Sequence, residues 1–396
     1  MDKIQSLFLR SLSCALKKES LPEAPGFSPE DWDALFSLAQ EQKVLPLIFE
    51  AVCRLPEVQA LPTFLSLKRR VVAQVMLQTR KSMEFYRVLD ALTAAGVQPL
   101  VVKGIVCRRL WPLPDHRPSS DEDVLVPPEQ FQKCHDILTG LGLTTHRDPG
   151  SSDYELPYRQ PEGPLFIELH RSLFPPESEA YGSLNRFFTD AHKRAVVLDG
   201  IPTLDHTDHL FYLICHAFKH FLHSGFGTRQ ICDILLFADA YREHIRWDLF
   251  LENCRSIRAD RFAASIFAIG RNHLDFDADF PRLGKIIVDE MPMLLDLLDS
   301  GIYGGATVSR RHSSNITLEA VGKGQRHSLA ASLFPSAGTL EGRYPYLKEK
   351  PWLLPAAWTS RIIRYLRKSA NRDSAAEALK IGNERVELLK QYGIIP

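Results

Sequence analysis

The sequence predicts an α+β fold: a small mixed β-sheet between a helical N-terminal segment and a mainly helical C-terminal domain. Two observations point to it. Short apolar runs bounded by turn residues gather in residues 97–204, as sheet strands do. On either side, apolar residues recur instead at helical spacing. Residues 1–96 therefore read as the helical segment, 97–204 as an α/β core and 205–396 as the helical C-terminal domain.

In the first section, Ser28-Pro29-Glu30-Asp31 is a helix start: a capping serine, a proline in the first turn and an acid three residues on. A long helix follows from about Phe64 to Ala95. Its apolar positions include Val71, Val72, Val75, Leu77, Met83, Phe85, Val88 and Leu89, and Gly96 ends it. Its basic residues Lys68, Arg69, Arg70, Arg80 and Lys81 read as a solvated face, with a phosphate-facing role as the alternative. In the core, Gln98–Lys103 is a buried strand that passes through Gly104 into a helical stretch, Ile105–Trp111. Arg117–Val126 is a loop ending on a second strand, and Pro127–Leu141 is a helix. Leu143–His146, Tyr154–Tyr158 and Leu165–His170 are further strands, and Arg194–Leu204 is a hairpin folded at Asp199-Gly200. Helices are then expected at Asp205–His223, Arg229–Tyr241, Trp247–Ile257 and near Leu283–Leu298. The polar, Gly-rich stretch Gly301–Thr317 reads as a mobile loop. Pro335–Pro355, rich in Pro and aromatics, reads as an irregular packed segment or a docking surface. Trp358–Arg367 reads as a basic helix with a polar helical tail after Ala370.

The chemistry concentrates at Asp121 and Asp123. Two residues apart on a strand, they point to one face. Adjacent carboxylates repel unless a cation lies between them, and Mg²⁺ suits such a pair. An isolated D-x-D is more often two solvated acids, but its surroundings are suggestive. Strand, glycine and helix at Lys103-Gly104 is a geometry that offers backbone N–H groups to phosphate. Glu168, between apolar residues on a later strand, needs a partner, and a shared metal would supply one.

These elements resemble the poorly characterised bacterial nucleotidyltransferase family proteins of the polymerase-beta-like nucleotidyltransferase superfamily. The shared signature is a K-G turn (Lys103-Gly104), then R-x-x-x-D-x-D-L-L-V (Arg117, Asp121, Asp123, Leu125-Val126), then an acid followed by L-H (Glu168-Leu169-His170). The resemblance covers roughly residues 65–240, with a weaker echo to about 370. Three positions depart from it. Ile105 stands where serine is usual, Glu168 where Asp is commoner, and Glu122 where an apolar residue is usual. At Glu122 the strand is therefore expected to start late or be exposed.

The resemblance implies Mg²⁺-dependent nucleotidyl transfer, with Mn²⁺ as an alternative metal. An acceptor hydroxyl or amine would attack the α-phosphate of an NTP, ATP being the expected donor, and pyrophosphate would leave. Asp121, Asp123 and Glu168 would be the catalytic and metal-holding acids, with Glu168 a candidate general base. Lys103, Gly104, Arg117 and Ser120 would bind the nucleotide. His216 and His220 share a helix face without the Glu of H-E-x-x-H. With Asp233, which fits the family's later helical acid, and with His170, they are candidates to touch substrate or support the acids. The alternative is a polar contact between helices in which the histidines bond Asp233. The acceptor is open: a protein side chain, a small molecule or an RNA end. A degenerate scaffold that binds without catalysis, or a metal-dependent hydrolase, are the other readings.

Composition narrows the setting. Lys+Arg and Asp+Glu balance at 48 each among 396 residues, so no global charge calls for nucleic acid. Seven cysteines, an odd number with no C-x-x-C, argue for free thiols in a reducing, cytoplasmic compartment, against a disulfide framework or zinc site. No uninterrupted apolar stretch reaches membrane-span length, and the first residues lack a signal-peptide layout.

Overall fold

The computed structural model describes residues 1–23, 26–151, 153–178, 180–223, 226–276, 283–300, 344–347, 350–360 and 385–395. The chain forms two compact units, Met1–Lys219 with Phe226–Gly304, and His220–Gly225 with Gly305–Pro396.

The first unit opens with α1 (Lys3–Leu16), α2 (Pro29–Glu41), α3 (Leu45–Val52), the single turn α4 (Pro56–Gln59) and the long α5 (Phe64–Ala94). Ser28 caps α2 through a reciprocal bond with Asp31, as the sequence pattern requires. Gly96 follows α5 with φ +75°, a conformation that favours glycine. Leu67, Val71, Phe85, Val88, Leu89 and Leu92 form the buried stripe of α5, whereas Val72, Leu77 and Met83 lie exposed. The buried face of α5 also carries Gln78 and Lys81, and these hold a loop described below.

The core is a four-stranded mixed sheet of β1 (Leu100–Val102), β2 (Glu122–Leu125), β3 (Glu155–Arg159) and β4 (Phe166–His170), in the order β1-β2-β4-β3. Strand β2 runs antiparallel to β1 and parallel to β4, and β3 runs antiparallel to β4. The one-turn helix α6 (Gly104–Arg108) follows β1 directly, and α7 (Phe131–Gly140) follows a 3₁₀ turn at Pro128–Gln130. Leu143–His146 forms no strand; it contributes only the bridge between Thr144 and Arg159. The hairpin β5 (Val196–Leu198) and β6 (Ile201–Thr203) turns at Asp199-Gly200, both at positive φ (49° and 83°), as a tight hairpin turn demands. Among the described residues up to 300, the helices α8 (His206–His223), α9 (Thr228–Ala240), α10 (Trp247–Ser256), α11 (Asp260–His273) and α12 (Met291–Ser300) follow. Helix α11, rich in alanine and buried along most of its length, has no counterpart in the sequence reading. The helix expected near Leu283–Leu298 is divided into a 3₁₀ turn at Leu283–Lys285 and α12.

In the second unit, residues 354–360 and 385–391 are helical. Tyr344, Leu347 and Ala357 form a small apolar cluster there, and Arg385 donates to the Phe221 carbonyl. Gly301–Thr317 lies outside the described residues, as do most of Pro335–Pro355, Trp358–Arg367 and the tail. No described helix is long and apolar enough to cross a membrane.

Candidate active site

Parallel pairing of β2 with β4 sets Asp123 directly opposite Glu168, and His170 opposite Leu125. Side chains two apart on a strand share a face, so His170 joins the two acids. One ligand atom each of Asp123, Glu168 and His170 lies within 4.8 Å of the others. His170 Nε2 is 3.0 Å from Asp123 Oδ1 and 3.8 Å from Glu168 Oε2. Asp121 sits just before β2, its carboxylate accepting from the Ser120 hydroxyl at 2.8 Å.

A cation does lie between the two aspartates, and the chain supplies it. Lys103 Nζ is 2.8 Å from Asp123 Oδ2, 3.6 Å from Asp121 Oδ2 and 3.2 Å from His216 Nε2. Burial opposes that charge, but Asp121 and Asp123 overcome it and raise the Lys103 pKa well above the usual lysine range. Asp121 is likewise buried, and Lys103 and Ser120 more than offset this, holding its carboxyl below the usual range. Lys103 acts on Glu168 too, but by less than the surroundings raise it. Burial, then the charges of Asp123 and Asp121, push it up to about 7. Burial lowers the His170 pKa, but its bond to Asp123 reverses the sign and leaves it raised.

Helix α8 presents Tyr212, His216 and Lys219 at spacings of four and three, one face of a helix. The charges of Asp123 and Glu168 act on both Tyr212 and Lys219. Burial raises the Tyr212 phenol and lowers the Lys219 ammonium. The sequence reading missed both, although their spacing from His216 was visible. His220 lies half-buried on the following turn of α8, in the second unit.

Other expected site residues hold the frame. Arg117 is 2% exposed and makes a two-pronged ion pair with Asp233, both bonds 2.7 Å, and Trp111 Nε1 donates to the same carboxylate at 2.9 Å. The guanidinium expected to reach phosphate is thus committed to α9, and Asp233 bonds Arg117 and Trp111 rather than the histidines. Arg229 on α9 donates to the Pro118 carbonyl at 2.6 Å. From the other side, α5 grips Ser119: Gln78 Oε1 accepts its N–H at 2.9 Å, and Lys81 Nζ donates to its carbonyl at 3.1 Å. Lys81 is 3% exposed, so it does not belong to the solvated face its neighbours suggested. The loop carrying Asp121 is therefore clamped between α5 and α9.

Glu122 corrects a further expectation. It neither starts the strand late nor faces solvent: it is a fully buried residue of β2. Its carboxylate takes Arg108 at 2.6 Å, the Ser119 hydroxyl at 2.8 Å and the Ile105 N–H at 2.9 Å. A Cβ on Gly104 would stand 2.1 Å from Glu122 Oε2, so the glycine makes room for this carboxylate. The turn N–H that sequence reasoning offered to phosphate is already occupied by an internal anion.

All seven cysteines are free, five of them buried. Asp123 and Glu168 offer hard oxygens from paired strands and Asp121 another from the loop before β2, with His170 hydrogen-bonded to Asp123. That set fits Mg²⁺ or Mn²⁺.

No curated protein matches the chain. A solution structure of the antibiotic-resistance factor ANT(2'')-Ia aligns with 52% of this chain and 99% of that chain, at 14% identity and a TM-score of 0.32. A likeness that distant carries no argument about substrate. The model of a family described as uncharacterised nucleotidyltransferases, in contrast, matches residues 28–275, from the capping serine of α2 to just past α11 and so through the whole acid site; the chain belongs to that nucleotidyltransferase family.

Proposed function

We propose that this protein is a divalent-metal-dependent nucleotidyltransferase that moves a nucleoside monophosphate from an NTP, ATP first, to the hydroxyl or amine of a small molecule or a protein. The observation that carries the reading is the register of Asp123 opposite Glu168 on parallel strands, with Asp121 at the entrance to β2. A divalent cation, Mg²⁺ or Mn²⁺, would be held by Asp121, Asp123 and Glu168, and when bound it supplies positive charge to the phosphate oxygens as they gain negative charge.

The chain's own groups do the rest. Glu168, opposite Asp123, would either ligate the metal or take the proton from the acceptor as its oxygen or nitrogen bonds to the α-phosphorus and the bond to pyrophosphate breaks. His170 orients the Asp123 carboxylate through Nε2. Lys219, from α8, offers a positive charge to the triphosphate. Lys103 serves the same triphosphate, and Ser120 steadies Asp121. His216 lines the acceptor side of α8. Arg117, Asp233 and Gly104 act through the fold rather than on the nucleotide. We place the reaction in the bacterial cytoplasm, where seven free thiols persist.

A second reading is favoured by Glu122 and Asp233, which occupy the Ile105 N–H and Arg117: a scaffold that binds nucleotide without transfer. The test is incubation with α-labelled and γ-labelled NTPs in the presence of a pooled small-molecule and protein extract. Transfer predicts α-label on a new product together with released pyrophosphate. Release of γ-phosphate alone would make the protein a hydrolase. Bound but unchanged NTP would leave the scaffold.

A further inference from the structure

The strongest unexplained feature is the position of Lys103. Its backbone adopts φ 52°, ψ −126°, a positive-φ conformation that strains a lysine. A buried relay holds it there. Thr203 Oγ1 donates to the Val101 carbonyl at 2.6 Å, so it must accept from His209 Nδ1–H at 2.9 Å. His209 Nε2 is left as an acceptor, and the Lys103 N–H donates to it at 3.3 Å. His209 is fully buried and stacked on Phe237 at 4.6 Å, and burial pushes its pKa down to about 3, which keeps the ring neutral as this pattern requires. The fold thus maintains a strained backbone whose result is to aim Nζ between two carboxylates.

Both oxygens of Asp123 are in use: Oδ1 by His170 and Oδ2 by Lys103. Asp121 Oδ2 also faces Nζ. A cation shared by the two aspartates would compete with Nζ for these same carboxylate oxygens. We propose that Lys103 is an internal cation that neutralises the acid pair and is exchanged for the divalent metal, its released ammonium then free to pair with a triphosphate. This rests on the metal-site reading above. It gives the site a way to stay folded before substrate arrives, since two unpaired buried carboxylates would repel. No covalent step is involved; one cation leaves the carboxylates as another enters.

The exchange can be read without measuring activity. Wild-type full-length protein is treated with an amine-acylating reagent, with and without Mn²⁺ and with no nucleotide, and modification at Lys103 is followed by mass spectrometry. Lys193, whose side chain is 81% exposed, is the internal standard. Bound Mn²⁺ is counted in the same samples by electron paramagnetic resonance. The proposal expects Lys103 to react slowly alone and several-fold faster once Mn²⁺ is bound, with Lys193 unchanged. It also expects Lys103→Met to bind Mn²⁺ at least about tenfold more tightly than wild type, a competing charge having been removed from between the carboxylates. Bound Mn²⁺ with unchanged or slower acylation of Lys103 would overturn the exchange and leave the metal site standing. No bound Mn²⁺ at millimolar concentration would overturn the metal site, and the exchange with it.

Discussion

Replacing Glu122 by leucine should be among the most damaging single changes outside the acid site. Glu122 is fully buried, and its three partners are fixed. Arg108, itself 1% exposed, would lose its 2.6 Å ion pair and keep only neutral acceptors at Ser82, Ser119 and the Arg117 carbonyl. The Ile105 N–H would lose its acceptor. Breaking a buried pair from one side costs about 3–5 kcal/mol, and an orphaned buried donor about 1–3 kcal/mol. Relaxation overlaps the two, so a total of about 4 kcal/mol is expected, or a fall of roughly 10 °C in Tm for a unit of this size. Arg108→Met should cost a similar amount. The double variant should cost clearly less than the sum, because an apolar pair replaces a charged one without leaving either partner alone. Urea denaturation followed by tryptophan fluorescence reads all three. A loss below about 1 kcal/mol for Glu122→Leu, or strict additivity in the double variant, would refute the view that this carboxylate pins the turn.

Gly104→Ala should destabilise far more than Gly96→Ala. Both glycines have positive φ, but only the first would drive a Cβ to 2.1 Å from Glu122 Oε2; at Gly96 the space is open. Equal shifts in Tm would contradict the close approach. Asp233→Asn should lower stability by about 3 kcal/mol through loss of the buried pair with Arg117, yet leave nucleotide affinity of the folded protein within a few-fold of wild type. A large loss of affinity at unchanged stability would return Arg117 and Asp233 to the nucleotide site. Lys81 should impose a pH dependence. Burial, only partly offset by Glu122 and Asp121, lowers its pKa from 10.5 to about 8. Between those values the unfolded chain binds more protons than the native one, so this group's contribution to stability rises with pH through that window. The gain approaches about 3 kcal/mol, and Lys81→Met should abolish it in urea melts compared at pH 7.5 and 10.

Much of the frame was legible because it rests on local chemistry. Ser28 with Asp31, Gly96 after α5 and Asp199-Gly200 between two short strands each specify their own geometry. The acids were legible because strand periodicity puts Asp121 and Asp123 on one side, and a later apolar run places Glu168 on a neighbouring strand. What could not be read depends on partners distant in sequence. Glu122 is buried because Arg108 lies 14 residues away on another element, and Arg117 meets Asp233 across 116 residues. Lys81 sits in a run of basic residues that gives no hint of which one turns inward. His209 did leave a trace, a histidine among the apolar positions of α8, but its role depends on Thr203 and on the backbone of Lys103.

The account turns on whether the acid pair and Glu168 hold a metal that carries an NTP. Isothermal titration of each of the four NTPs, with and without Mg²⁺, into wild type and into an Asp121→Asn/Asp123→Asn double variant tests this most directly. The account predicts binding of at least one NTP that requires Mg²⁺ and is lost in the variant, while the variant stays folded. Binding that ignores both the metal and the two substitutions, or no binding to wild type with any NTP, would contradict it.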